Sequence, residues 1–361
     1  MMRQFRAVSK SKNMSVKIQI ALYLVASAYF SATTICTAQT TVSTPIVGFN
    51  TLSVRAKTSS ANALSFISLN LTRPKAYAGI VGTKSLNGSG QTVITFSNSL
   101  FNSNQFNTST NRHYFQVKSG ANNGLNAEVV ATTANSITLS DNFDAILENN
   151  TSAFEIIPYW TLVTAFPSGG GLKTGTSAST ADNLTILELP SGVASTYFYS
   201  SSANQWRKGV TDSSQVIIPP GSGILVTRKD LTGVGVVITG TVPTGPTQTD
   251  IVGGTSNQAR LSYVSNPYPI ASKTLATSGL YTGNSSTGLA GGTSASTADT
   301  VTIYNPSTGV ADTYYYNTTV NQWRKGVTDS SNVQIPEGSA FVISRKANRG
   351  AFEWYIPQPS F

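Results

Sequence analysis

The chain has 361 residues, enough for two or three domains with substantial cores, yet only 11% of them are charged. Ser, Thr, Asn and Gly crowd it, and β-branched and aromatic side chains supply its hydrophobicity; that mixture suits strands with polar outer faces and argues against a protein built on amphipathic helices. The net charge of +9 is concentrated in a leader: setting aside Arg3, Arg6, Lys10, Lys12 and Lys17 leaves 19 basic against 15 acidic residues, a net of +4 with no basic stripe, so no nucleic-acid partner is expected.

In chain order, those basic residues precede an apolar run from Ile18 to Ala32 and then the small-residue segment Cys36-Thr37-Ala38. This succession predicts a secretory signal peptide over residues 1–38, cut after Ala38 or Gln39, with Met14 as an alternative start. The rival reading, an uncleaved membrane anchor, meets a run interrupted by Ser and Thr and marginal for spanning. The expected mature chain therefore has no transmembrane span. Cys36 is the only cysteine. Ile35 stands where a lipoprotein signal needs a small residue, so the mature chain is expected to hold no disulfide and no cysteine metal site.

Residues 40–159 read as an N-terminal β domain, a sandwich or partly open barrel of short strands. Phe49–Val54, Leu64–Leu69, Gln91–Phe96, Tyr114–Val117, Glu128–Ala131, Ser136–Leu139 and Ala153–Ile157 alternate or bunch their apolar residues between turn clusters. A first β repeat is expected over 160–241, with strands at Leu184–Leu189, Ala194–Ser200, Gln205–Val210, Val216–Ile218, Gly223–Thr227 and Val234–Ile238. A Pro/Thr/Gly linker over 242–250 and a second repeat over 251–361 follow.

The repeats declare themselves by identity. Asn204–Ser214 returns letter for letter at Asn321–Ser331, and the offset of 117 residues holds without a gap from Thr176–Lys229 onto Thr293–Lys346, with 33 identities over 54 positions. The expected fold is thus all-β: the N-terminal domain, then two tandem copies of an antiparallel, jelly-roll-like β-sandwich.

Acid–base chemistry has little to draw on. His113 is the only histidine and reads as a solvated strand-edge residue; no G-x-S-x-G elbow nominates a serine for it. Ser168–Thr174 lacks the Gly-Lys-Ser/Thr order of a phosphate loop and reads as a flexible loop. The repeated acids Asp182 and Asp299 follow Ala-Ser-Thr-Ala and read as Asx turns onto their own backbone, and Asp212 and Asp329 sit in Thr-Asp-Ser-Ser, another turn composition. One acid per loop is a poor calcium cage. No catalytic residue, metal site or cofactor is expected. Phe361 as the last strand of an outer-membrane barrel is rejected, because Pro357 and Pro359 would break its ladder.

The aromatics carry the ligand-binding possibility. Tyr197, Tyr199, Trp206 and Lys208 recur as Tyr314, Tyr316, Trp323 and Lys325. Exposed, they would form an aromatic shelf with a cationic rim for sugar rings. Buried, they would be core, and that reading is preferred.

Val264–Pro269, Thr302–Pro306 and Ile335–Val342, with the Gln-Trp-Arg-Lys-Gly segment, resemble an uncharacterised family of exported all-β bacterial proteins with duplicated C-terminal β modules. The resemblance implies export and β architecture, and no activity. The expected function is a non-enzymatic structural or adhesive protein of the cell surface or extracellular matrix, whose partners are surface polysaccharide or other surface proteins. The alternative is a carbohydrate-binding protein using the Tyr/Trp shelf, and the third is a glycoside hydrolase.

Overall fold

The computed structural model describes residues 46–358 apart from 190, 269–272 and 337. The expected signal peptide lies outside the described residues. Two-residue alternation decides the first strands. In β1 (Val47–Val54), Leu52 and Val54 turn inward while Thr51 and Ser53 face water. Strand β2 (Ala63–Ser68) is buried along most of its length.

The next strands form a sheet of their own: β3 (Tyr77–Ile80), β4 (Thr83–Leu86), β5 (Thr92–Thr95), β6 (Asn107–Thr108), β7 (Asn111–Val117), β8 (Asn126–Thr132), β9 (Ser136–Leu139) and β10 (Ala153–Pro158). Their order is β3-β10-β7-β8-β9-β5-β4, with β6 laid on β7. This half-barrel wraps a core that includes Phe101, Phe106, Phe115, Ile137 and Phe154.

A single helical turn, α1 (Leu162–Ala165), follows β11 (Trp160–Thr161). Then come β12 (Asn183–Glu188), β13 (Val193–Ser200), β14 (Gln205–Lys208), β15 (Thr211–Asp212), β16 (Ile217–Ile218), β17 (Gly223–Arg228) and β18 (Val234–Thr241). They build a six-stranded sheet, β15-β14-β13-β12-β17-β2, and β18 pairs with β1. Leu52, Val54 and Ile67 consequently share one core with Leu184, Ile186, Trp206, Val226 and Ile238.

The N-terminal domain expected over 40–159 is thus divided. Its first two strands belong to the first repeat, and β3–β10 form an insertion between them and β11. The insertion leaves and returns at one place: Trp160 Nε1–H donates to the Leu71 carbonyl at 2.8 Å, and Thr72 and Thr241 exchange backbone hydrogen bonds. Ends that meet in this way let a module accept a domain without reordering its strands.

The remaining strands are β19 (Thr247–Ile251), β20 (Arg260–Ser265), β21 (Thr300–Tyr304), β22 (Ala311–Asn317), β23 (Gln322–Lys325), β24 (Thr328–Asp329), β25 (Ala340–Arg345) and β26 (Phe352–Ile356). Their six-stranded sheet runs β20-β25-β21-β22-β23-β24, and β19 pairs with β26. Strand for strand this is the order β2-β17-β12-β13-β14-β15, with β1 on β18. The linker expected over 242–250 shrinks to a turn. Pro243 and Pro246 stop pairing only locally, and Thr247 already stands opposite Ile356.

The two modules meet through equivalent parts. Ser68 N–H donates to Gly338 O at 3.1 Å, and its counterpart Ser265 N–H donates to Gly221 O at 2.8 Å. Phe66 and its counterpart Tyr263 join Leu225, Ala340, Val342 and Tyr304 in a shared apolar cluster. Each side presents the same patch to the other, the arrangement of an isologous interface within one chain. On its axis, a methyl added at Gly223 would lie 2.4 Å from Cβ of Ala340, the residue that replaces Gly223 in the second module. Gly223→Ala is expected to cost about 1–3 kcal/mol as overpacking. Chemical denaturation measures it, and adding Ala340→Gly should recover most of the loss. An additive double mutant would remove the steric explanation.

Candidate functional site

The repeated aromatics point inward. Trp206 is 1% exposed and Trp323 3%. The Trp206 indole N–H donates to the Phe166 carbonyl at 3.0 Å, and its ring meets Tyr199 edge-on at 5.7 Å. Trp323 repeats the edge contact with Tyr316 at 5.8 Å. Tyr197 and Tyr314 are buried in the same two cores, and Tyr199 and Tyr316 pack against them partly buried. No aromatic shelf forms at these side chains, because alternation aims Trp206 and both tyrosines of β13 at the core.

Nor do the lysines form a free cationic rim. Lys208 Nζ reaches Ser195 Oγ at 2.7 Å and Glu188 at 3.6 Å, and Lys325 pairs with Asp312. The eleven-residue identity follows from hairpin geometry. Asn204 and Asn321 hold φ of 51° and 53°, Gly209 and Gly326 hold 61° and 60°, and Lys208 pairs with Thr211 across a two-residue turn. A first turn residue with positive φ is what glycine supplies.

Asp182 and Asp299 are not Asx turns. Both carboxylates are fully buried, and each pairs with an arginine at the end of β17 or β25, Arg228 or Arg345. Asp182 also accepts the backbone N–H groups of Lys173 and Lys229, each at 2.7 Å. Asp212 and Asp329 do form Asx turns, onto Ser214 and Ser331; these bonds hold both carboxyls below the usual range.

His113 is buried, not solvated. Its Nδ1 lies 3.1 Å from Phe106 O and 3.0 Å from Asn111 O, and burial lowers its pKa. Strand β7 lies inside its sheet between β10 and β8, which explains the cover. Ser168–Thr174 is a hydrogen-bonded turn that seats Leu172 in the core, where a flexible loop was expected.

One concave surface open to a ligand is a cleft of about 650 Å³ between the insertion and the two modules. The insertion contributes Arg112 and Glu128 from β7 and β8, and Asp141 beyond β9. The first module contributes Tyr159, Ile186, Glu188, Tyr197 and Pro219, and the second contributes Asp250 from β19 and Glu353 from β26. Asn126 Nδ2–H donates to Gln248 O at 3.2 Å, tying the insertion to β19.

Arg112 grips Glu128 with two bonds, at 2.7 and 2.6 Å. Asp141, Asp250 and Glu353 have no ion-pair partner among the described residues. Asp250 and Glu353 stand directly opposite each other on paired strands, where like charges repel. Partial desolvation by the cleft walls raises both carboxyl pKa values. Repulsion from Asp141 adds to each shift, and repulsion from Asp250 adds to that of Glu353.

No family model, curated protein or solved structure matches this chain.

Sequence reasoning missed the cleft because none of its acids belongs to the repeated block's identities, and three lobes distant in sequence supply it. The strain in it is measurable. A carboxyl whose folded pKa is raised binds its proton more readily in the fold than in the unfolded chain, so it weakens the fold above that pKa. Glu353→Gln is expected to stabilise the protein at pH 7, by no more than about 1 kcal/mol since the side chain touches water. The gain fades as pH falls through the carboxyl range. Urea midpoints at neutral and acidic pH test this, and a loss of stability at pH 7 would show that the charge is held favourably.

Proposed function

We propose that this chain is a non-enzymatic exported protein of the cell surface or extracellular matrix, acting as a structural or adhesive component. The observation that carries the reading is the internal use of the repeated residues. The tryptophans, tyrosines and buried aspartates that recur in both modules fill cores and fix hairpins, so what the repeat maintains is a scaffold. His113 is likewise held by two backbone carbonyls, and the Asp182 and Asp299 carboxylates are occupied by arginines, which leaves them no free role in proton transfer.

Export rests on the basic, apolar and small-residue succession of residues 1–38. Expression of the full chain in a secreting bacterium, followed by fractionation and N-terminal sequencing, tests the reading. Mature protein on the surface or in the medium, beginning near Gln39 or Thr40, is expected. Cytoplasmic protein that keeps Met1 or Met14 would overturn it.

A further inference from the structure

We propose that the cleft between the insertion and the two modules binds an organic cation, an ammonium or guanidinium group carried on an aliphatic chain. This goes beyond the scaffold reading and does not depend on it.

Five of the chain's 15 acidic side chains, Glu128, Asp141, Glu188, Asp250 and Glu353, line this one cleft, although the expected mature chain is net basic. Arg112 is the one basic residue in its lining and is already committed to Glu128. Asp141, Asp250 and Glu353 therefore present uncompensated negative charge to a concave space, where low-dielectric walls focus the field on a counter-ion.

Tyr159 gives an independent pointer. It is 6% exposed, and its hydroxyl makes no hydrogen bond among the described residues. Yet that hydroxyl lies close enough to Glu128, Arg112, Asp141 and Asp250 to feel each of their charges. Tyr197, 3% exposed, lines the same space with its hydroxyl also unpartnered. Both side chains are more than nine-tenths buried, yet each hydroxyl faces the cleft without a protein partner, which leaves it to donate to or accept from a ligand's polar group.

The remaining walls choose among cations. Leu125, Ile186, Leu187, Val216, Ile217 and Pro219 offer apolar surface to an alkyl chain. Among the described residues no group of three His, Cys, Asp or Glu could hold a metal ion. A carboxylate array over an apolar floor fits an alkylammonium head and stem, with the Tyr159 ring and hydroxyl available to the cation.

Calorimetry on the mature chain, with spermidine as probe, tests the proposal. Saturable binding that weakens as ionic strength rises is expected. Asp250→Asn combined with Glu353→Gln should weaken it by about tenfold or more, and Tyr159→Phe by about fivefold. Asp212→Asn with Asp329→Asn, which deletes two carboxylates in surface turns, should leave it unchanged. Thermal melts confirm that each variant is folded. Three results would overturn the proposal: no saturable spermidine binding, spermidine binding indifferent to the cleft variants, or calcium or maltohexaose binding that the cleft variants abolish while spermidine does not bind. None of these bears on export or on the scaffold role.

Discussion

Asp299→Asn is expected to destabilise the protein by about 3–5 kcal/mol, the range for removing one partner of a buried ion pair. Asp299 and Arg345 have fully buried side chains and meet at 2.8 Å. The carboxylate also accepts from the backbone N–H of Ala290 at 2.8 Å and of Lys346 at 2.9 Å. Arg345 in turn donates to the carbonyls of Gly288, Ser285 and Gly350 and lies over the Phe352 ring. The amide would leave a guanidinium in the core with no counter-charge, and nothing in its surroundings can take up that charge.

Replacing both partners with apolar residues is not expected to rescue the fold, although such swaps are often neutral. Here the carboxylate also satisfies two main-chain donors, and an apolar side chain would orphan them. Asp329→Asn is the internal control, since it changes an exposed Asx turn in the same module and should leave the denaturation midpoint in place. Equal midpoints for Asp299→Asn and the wild type would refute the role given to the pair.

How far this was legible in the sequence differs by element. Strands such as Ser136–Leu139 and Ala194–Ser200 announce themselves by alternation, and the structure places β9 and β13 there. The insertion does not, because β1 and β2 find their partners far along the chain: Phe66 stands opposite Leu225, and Leu52 opposite Val236. A trace exists in the strings Leu64-Ser65-Phe66-Ile67-Ser68 and Leu261-Ser262-Tyr263-Val264-Ser265. Their spacing exceeds that of the main repeat by the length of the inserted domain, so a search at one offset passes over them.

Asp182 and Asp299 were misread for the opposite reason. Ala-Ser-Thr-Ala-Asp is a plausible local turn, and local chemistry drew attention away from a distant partner. Yet both arginines lie 46 residues on, within the same Arg-Lys pair that closes the aligned block. Five acids converge on the cleft from separate lobes, and no spacing rule encodes that convergence.

Trp206→Ala should cost about 3–5 kcal/mol, as expected for truncating a large core aromatic. The ring shares a core with Leu162, Leu184 and others and meets Phe166 and Tyr199 edge-on, and its N–H donates to the Phe166 carbonyl. Trp206→Phe separates the two contributions. It keeps most of the apolar volume but removes the indole hydrogen bond, leaving that carbonyl with the Gly169 N–H alone, so it should lose less, about 1–3 kcal/mol. Denaturant titration of both variants, with the corresponding pair at Trp323, gives the comparison. A binding shelf makes the reverse prediction: near-wild-type stability with loss of retention on immobilised oligosaccharides. That outcome would move the ring from core to surface. The geometry opposes it, because a ring on a solvent-facing shelf could not meet Phe166 edge-on at 6.0 Å while donating to that residue's own backbone.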